Sequence, residues 1–189
     1  TVFLEMKTGN QDRINQFMNG EKLDRQLLLD ILGGDYQYGW NDKGMYEFLI
    51  ALWEVNQKLS PAKKIRVIFP DFGLSWLDIQ TEDDVKRWER YTFQDRDTCM
   101  ADMTEKIIRE NQNSRGHLFI VGGNHACKHA NGVPSLGNLL KQKFSDEEVY
   151  AVKLHTVWGD NSGNVFGKVR KGLFDFVFRM NGNKPVAFA

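Results

Sequence analysis

The sequence predicts an α/β fold, a mostly parallel sheet flanked by helices, with its functional site at the C-terminal ends of the strands. Three observations lead there. Short β-branched and aromatic runs recur at TVFLE, KIRVIFP, HLFIV and VYAVKL, and stretches of helical spacing lie between them. Each run is followed by a polar residue, and parallel strands deliver such exits to one edge, where open α/β sheets hold their ligands. A chain of 189 residues with 41% hydrophobic and 12% aromatic content can bury one substantial core, so a single domain over residues 1–189 is expected.

Taken in order, Thr1 to Glu5 reads as a buried strand that leaves the core at its carboxylate. Asn10 is placed to cap a helix carrying Ile14, Phe17 and Met18, which Asn19-Gly20 stops. A second helix carries Leu23, Leu27, Leu28, Ile31 and Leu32 and ends at Gly33-Gly34. Asp42 is the expected cap of a third, with Tyr46, Leu49, Ile50 and Trp53 on its apolar side. Lys64 to Pro70 is the next strand, and Asp71 follows it. Thr81 and Asp84 have the spacing of a capping box, opening a helical region that is expected to break and restart near Gln94-Asp95 and to run to about Asn111. Met100, Met103, Ile107 and Ile108 form its apolar face. His117 to Val121 is a strand that stops at Gly122-Gly123, and a helix from about Ser135 to Phe144 follows. Val149 to Leu154 is the last strand of this series, with His155 and Thr156 as its exit residues. Two apolar runs, Phe174 to Phe178 and Pro185 to Phe188, close the chain.

Twenty-five basic residues balance 25 acidic ones, and the densest basic run, Lys168 to Lys171, is short and interrupted. Nucleic acid and membrane insertion are therefore disfavoured, and a small-molecule substrate is the expected partner. Cys99 and Cys127 form neither a disulfide framework nor a CxxC pair and read as two buried thiols. No apolar run reaches the length of a spanning helix, so a soluble chain is expected, with the cytoplasm favoured. The residues leave cofactor and oligomeric state open.

Glu5 and His125 suit general acid–base chemistry, because imidazole titrates near neutral pH and a carboxylate fixes its tautomer. Glu5 has an alternative as a strand-end salt-bridge partner. His125 lies in GGNHA, where glycines and small residues let a ligand approach, and Asn124 beside it is a candidate substrate contact. Asp71 and His155 join them as strand exits. Arg96, in DRDTCMA, either helps to open its helix or reaches the strand-end cluster and clamps an anionic group. Trp40, with Tyr36 and Tyr38, either lines a pocket or packs its loop on the core. His129 lies four residues after His125, the spacing of a zinc pair, but neither an HExxH glutamate nor an evident third ligand accompanies them. His117 begins a strand and belongs to the opposite edge. GxSxG, Walker A and GxGxxG elements are all missing.

The succession FLEM, LWEVNQKL with IRVIFPD, DRDTCMA, HLFIVGGNHA, VPSLGNLLKQKF and VYAVKL resembles the erythromycin esterase-like family and the wider ChaN and Tiki group of hydrolases and haem-uptake proteins. It covers Thr1 to about Leu154, and its most specific blocks are RDxxMA and the strand-Gly-Asn-His segment. The resemblance implies that Glu5, Arg96 and His125 are active-site residues and that water is activated for ester hydrolysis. It also implies two alternatives, a haem- or metal-binding module and a domain without catalytic activity. The family's earlier strand, ending in a GE-x-x-H-G-like motif, has no counterpart here. On that ground the chain is expected to be a fragment of a larger domain beginning upstream, with little activity by itself.

Overall fold

The parallel sheet is built on β1, Val2–Leu4, which pairs with β2, Val67–Ile68, on one side and β3, Leu118–Ile120, on the other. This computed structural model describes residues 1–33, 40–73, 79–111, 116–127, 134–145, 148–156, 176–181 and 184–188. Tyr36, Tyr38, His129, Lys168 to Lys171 and Phe174 lie outside the described residues. The chain divides into two compact units, Thr1–Ile120 and Val121–Ala189.

In the first unit all three strands are parallel, in the order β2-β1-β3. The chain moves from β1 to one neighbour and then crosses back to the other, which makes β1 the point where strand order reverses. Such a switch point is where an open α/β sheet opens a crevice at its C-terminal edge. Both faces of β1 are buried, as its continuous apolar run requires. Val2, Leu4 and Met6 share a core with Val67, Phe69 and three helices: α1 (Gln11–Asn19), α2 (Arg25–Gly33) and α3 (Lys43–Gln57). On the other face Phe3, fully buried, stacks on Phe119 at 5.5 Å between ring centroids.

Caps form where short polar side chains meet free amides. Asp42 accepts from Met45 N, and Thr81 with Asp84 completes the capping box of α4, Glu82–Arg90. Asn10 departs from expectation. A 3₁₀ turn over Thr8–Asn10 leads straight into α1, so its side chain makes no cap bond and instead donates to Ile31 O of α2.

The helical region after α4 does not break near Gln94-Asp95. It passes through a π turn, Tyr91–Asp95, into α5, Arg96–Glu110. The buried face of α5 is Met100, Ala101 and Thr104, with Met103, Ile107 and Ile108 half-buried beside it. At the end of α5 the Asn111 side chain accepts from Arg66, which precedes β2, so that end lies at the N-terminal edge of the sheet.

Two side-chain amides hold β2, which is an edge strand. Gln11 donates to Val67 O at 2.9 Å and accepts from Phe69 N at 2.8 Å, supplying the outward backbone groups that a fourth strand would otherwise satisfy. Asn56, almost fully buried, pairs in the same two-bond manner with N and O of Ile65.

The second unit contains α6, Leu136–Phe144, and a sheet in which β4, Val152–Thr156, pairs parallel with β5, Phe176–Asn181. β5 in turn pairs antiparallel with β6, Lys184–Phe188. β4 begins three residues later than the sequence suggests and runs through His155, which is paired with Arg179. His155 is thus inside a strand of a second sheet, not an exit from the first. Neither His155 nor Thr156 is a strand breaker, and pairing continues to Thr156. Among the described residues no helix is long and apolar enough to cross a membrane.

Asn56→Ala leaves both backbone groups of Ile65 without their partner and is expected to cost about 2–4 kcal/mol in urea unfolding. Exposed Gln57, one residue on, also bonds to backbone, but Gln57→Ala should change stability by less than about 0.5 kcal/mol. Equal effects would mean that the Ile65 clamp adds nothing beyond surface bonding.

Candidate functional site

Pro70 shapes the sheet's C-terminal edge. In the parallel register of β1 and β2 the amide of residue 70 would donate to Leu4 O, and proline has none. Leu4 O instead takes the amide of Met6 at 2.6 Å, which folds the chain into a tight turn at Glu5. The ladder then resumes, as Asp71 N donates to Met6 O at 3.1 Å and Thr8 N to Asp71 O at 2.8 Å. Glu5 N is fixed from the other side by Ile120 O at 3.2 Å. Two carboxylates therefore leave adjacent strands from rigid backbone. Both are buried, Glu5 to 7% exposure and Asp71 to 4%.

Arg96, the first residue of α5, lies between them. Its Nη2 donates to Glu5 Oε1 and to Asp71 Oδ2, each at 2.7 Å, and its Nε donates to Asp71 Oδ2 at 3.1 Å. Arg96 thus takes the second of its two expected roles and reaches the strand-end cluster. Because the helix continues through the π turn, α5 has no free amino end there to cap, and Asp95 makes no cap bond but accepts from Arg90. Tyr91 completes the arrangement. Its hydroxyl donates to Asp71 Oδ1 at 2.6 Å and accepts from Phe72 N at 2.8 Å, while Gly73 N also donates to Asp71 Oδ1 at 3.0 Å.

Electrostatics follow from these contacts. Burial alone would raise the Asp71 pKa, but the hydrogen bonds and charge of Arg96, with Tyr91 and Gly73, bring it below the ordinary carboxylate value. Burial likewise works against the Arg96 cation, and Asp71 and Glu5 more than restore it. The Tyr91 phenol is pushed well up by burial and by the adjacent Asp71 carboxylate. At neutral pH the Arg96 guanidinium thus faces an ionised Asp71, with a neutral phenol donating into the pair.

Asn124 and His125 belong to the second unit, in a turn after Gly122. His125 N donates to Gly122 O at 2.9 Å, and His125 O accepts from Gly137 N at 2.8 Å. Gly137 is in the first turn of α6, whose amides need outside partners, so the His125 carbonyl caps that helix. Ser135 Oγ donates to Cys127 O beside it. A Cβ on Gly137 would lie 2.6 Å from Ala126 O and 2.8 Å from Cys127 O, so only glycine allows this approach.

Trp40 is half-buried and packs against the core of α1–α3. His117 precedes β3 at the N-terminal edge, 6.2 Å from the ring of Phe3, on the side of the sheet opposite to Glu5 and Asp71. The two cysteines are half-buried rather than fully buried, and burial followed by the charges of Asp95, Asp102 and Asp71 raises the Cys99 thiol. Among the described residues no group of three or more His, Cys, Asp and Glu side chains is arranged to hold a metal ion. Tyr91 and Gly137 were not foreseen. Neither carries a local signal for its role, since a tyrosine at helical spacing and a glycine near a helix start gain their partners only from distant segments.

No family model, curated protein or solved structure matches this chain.

Two outcomes are expected. Arg96→Met leaves paired carboxylates without their cation and should cost about 3–5 kcal/mol at neutral pH. The sign with pH follows from the lowered Asp71 pKa: its stabilisation is present above the ordinary carboxylate value of about 4 and is lost as pH falls through the folded value. Urea unfolding from pH 7 to pH 3 should therefore show the wild type losing stability on acidification and Arg96→Met losing less. Parallel curves would show that Arg96 does not set the carboxylate titration. Gly137→Ala should cost about 1–3 kcal/mol by overpacking and should move the amide resonances of residues 125–127. Unmoved resonances there would mean that the turn is held by something other than this approach.

Proposed function

We propose that this chain is an esterase-like hydrolase that uses activated water to cleave an ester or related bond in a small-molecule substrate. One observation carries the reading. Glu5, from the FLEM block, and Arg96, from the RDxxMA-like block, are 91 residues apart in sequence and meet at 2.7 Å at the switch point of the sheet. Both blocks belong to the resemblance to erythromycin esterase-like proteins.

Chemically, Glu5 supplies a carboxylate whose position is fixed by backbone on two sides and by Arg96 at its oxygen. A carboxylate so held suits general-base work, because little reorganisation is needed as a proton is taken from water. Arg96 is committed to Glu5 and Asp71, so its part is to orient Glu5 and balance the charge of the pair. The resemblance gives His125 an acid–base role, and the glycine-bounded turn around it suits a residue that must meet a ligand.

The test is hydrolysis of a panel of small esters by the full-length protein, with melting temperature measured beside it. Glu5→Gln keeps an acceptor for Arg96 and removes the base, and His125→Ala removes the imidazole. Each is expected to lower kcat by about 10²–10⁴-fold with most of the fold retained. Variants that turn over at the wild-type rate per folded molecule would remove the assignment.

A further inference from the structure

Tyr91 and Arg96 are five residues apart, yet both side chains end on the same carboxylate, Tyr91 on Oδ1 and Arg96 on Oδ2 of Asp71. In an α-helix two residues five apart project about 140° from one another, and they would not converge. The π turn removes that difference. Arg96 N donates to Tyr91 O, the i to i+5 bond that stacks one residue above the other. Phe93, inside the turn, is 67% exposed and meets Trp88 edge-on at 6.2 Å, so it is not there to fill the core. Single π turns within α-helices are rare and recur at functional sites, where an extra residue re-aims its neighbours.

We propose that the π turn over Tyr91–Asp95 assembles this site, and that Tyr91 is a positioning residue holding Asp71 in the orientation that receives Arg96. Tyr91 does so from two directions. It accepts from Phe72 N, which anchors the hydroxyl to the backbone just past Asp71, and it donates its only proton to the carboxylate. Asp71 then presents its second oxygen to Arg96, whose Nη2 also holds Glu5. The catalytic consequence rests on the hydrolase reading, whereas the geometric one does not.

Inserting an alanine after Phe93 puts Tyr91 and Arg96 six residues apart, about 120° from one another around a helix, and should swing Tyr91 away from Asp71 while leaving helix content by circular dichroism unchanged. The readout is the ¹³Cζ resonance of Tyr91, assigned with Tyr91→Phe. In the wild type it should stay protonated beyond the ordinary tyrosine value of about 10, and in the insertion variant it should titrate near that value. Phe93→Ala, which keeps the five-residue turn, should leave it unchanged. An insertion variant in which Tyr91 still resists titration overturns the proposal.

If the insertion variant does not fold, Tyr91→Phe decides. The Arg96 Nε–H resonance should shift and exchange with water at least about tenfold faster, and an unchanged signal overturns the proposal. Ester turnover should fall about 10²-fold in the insertion variant, as expected when a site is misplaced by about 1 Å. Turnover missing from the wild type would count against the hydrolase reading alone, and the two resonances would still decide the role of the π turn.

Discussion

The arrangement at the C-terminal edge depends on one cation. Glu5 and Asp71 leave neighbouring strands with little access to water, and two carboxylates so placed would repel one another without Arg96 between them. Arg96 satisfies both through a planar fork that a lysine does not have. In doing so it joins three parts of the first unit: the end of β1, the end of β2 and the start of α5. With Asn111 meeting Arg66 at the far end, α5 is fastened to opposite edges of the sheet it follows.

Backbone chemistry places those carboxylates before any charge acts. Pro70 interrupts the ladder by lacking an amide, the chain turns at Glu5, and pairing resumes at Asp71. Rigidity here comes from hydrogen bonds to the main chain. Gln11 and Asn56 extend the same principle to β2, a strand of two residues whose exposed edge is completed by side-chain amides. A short edge strand covered in this way offers little to another chain. In the second unit, the close approach of Gly137 to Ala126 and Cys127 fixes the turn that carries His125, again through main-chain groups.

Much of the local structure was legible from periodicity and caps. TVFLE, the Asp42 cap, the Thr81–Asp84 box and the helix after Ser135 all form where local chemistry points, because those signals act over four or five residues. Errors arose where a distant partner decides. Asn10 has the chemistry of a cap, but the 3₁₀ turn before it sends its side chain to α2. His155 was read as an exit because Leu154 is the last apolar residue of its run, whereas β4 ends only at Thr156.

By itself the sequence determined the alternation of strands and helices, hence a parallel sheet, and hence that Glu5 and Asp71 would share an edge with His117 opposite. Those consequences follow from residue type and chain direction alone. Only the tertiary structure decided that strand order reverses at β1, that Arg96 binds two carboxylates rather than opening a helix, and that Tyr91 joins them. The physical reason is helical phase. Whether residues 91 and 96 share a face depends on one residue per turn, and that is set by the carboxylate waiting for them across the fold.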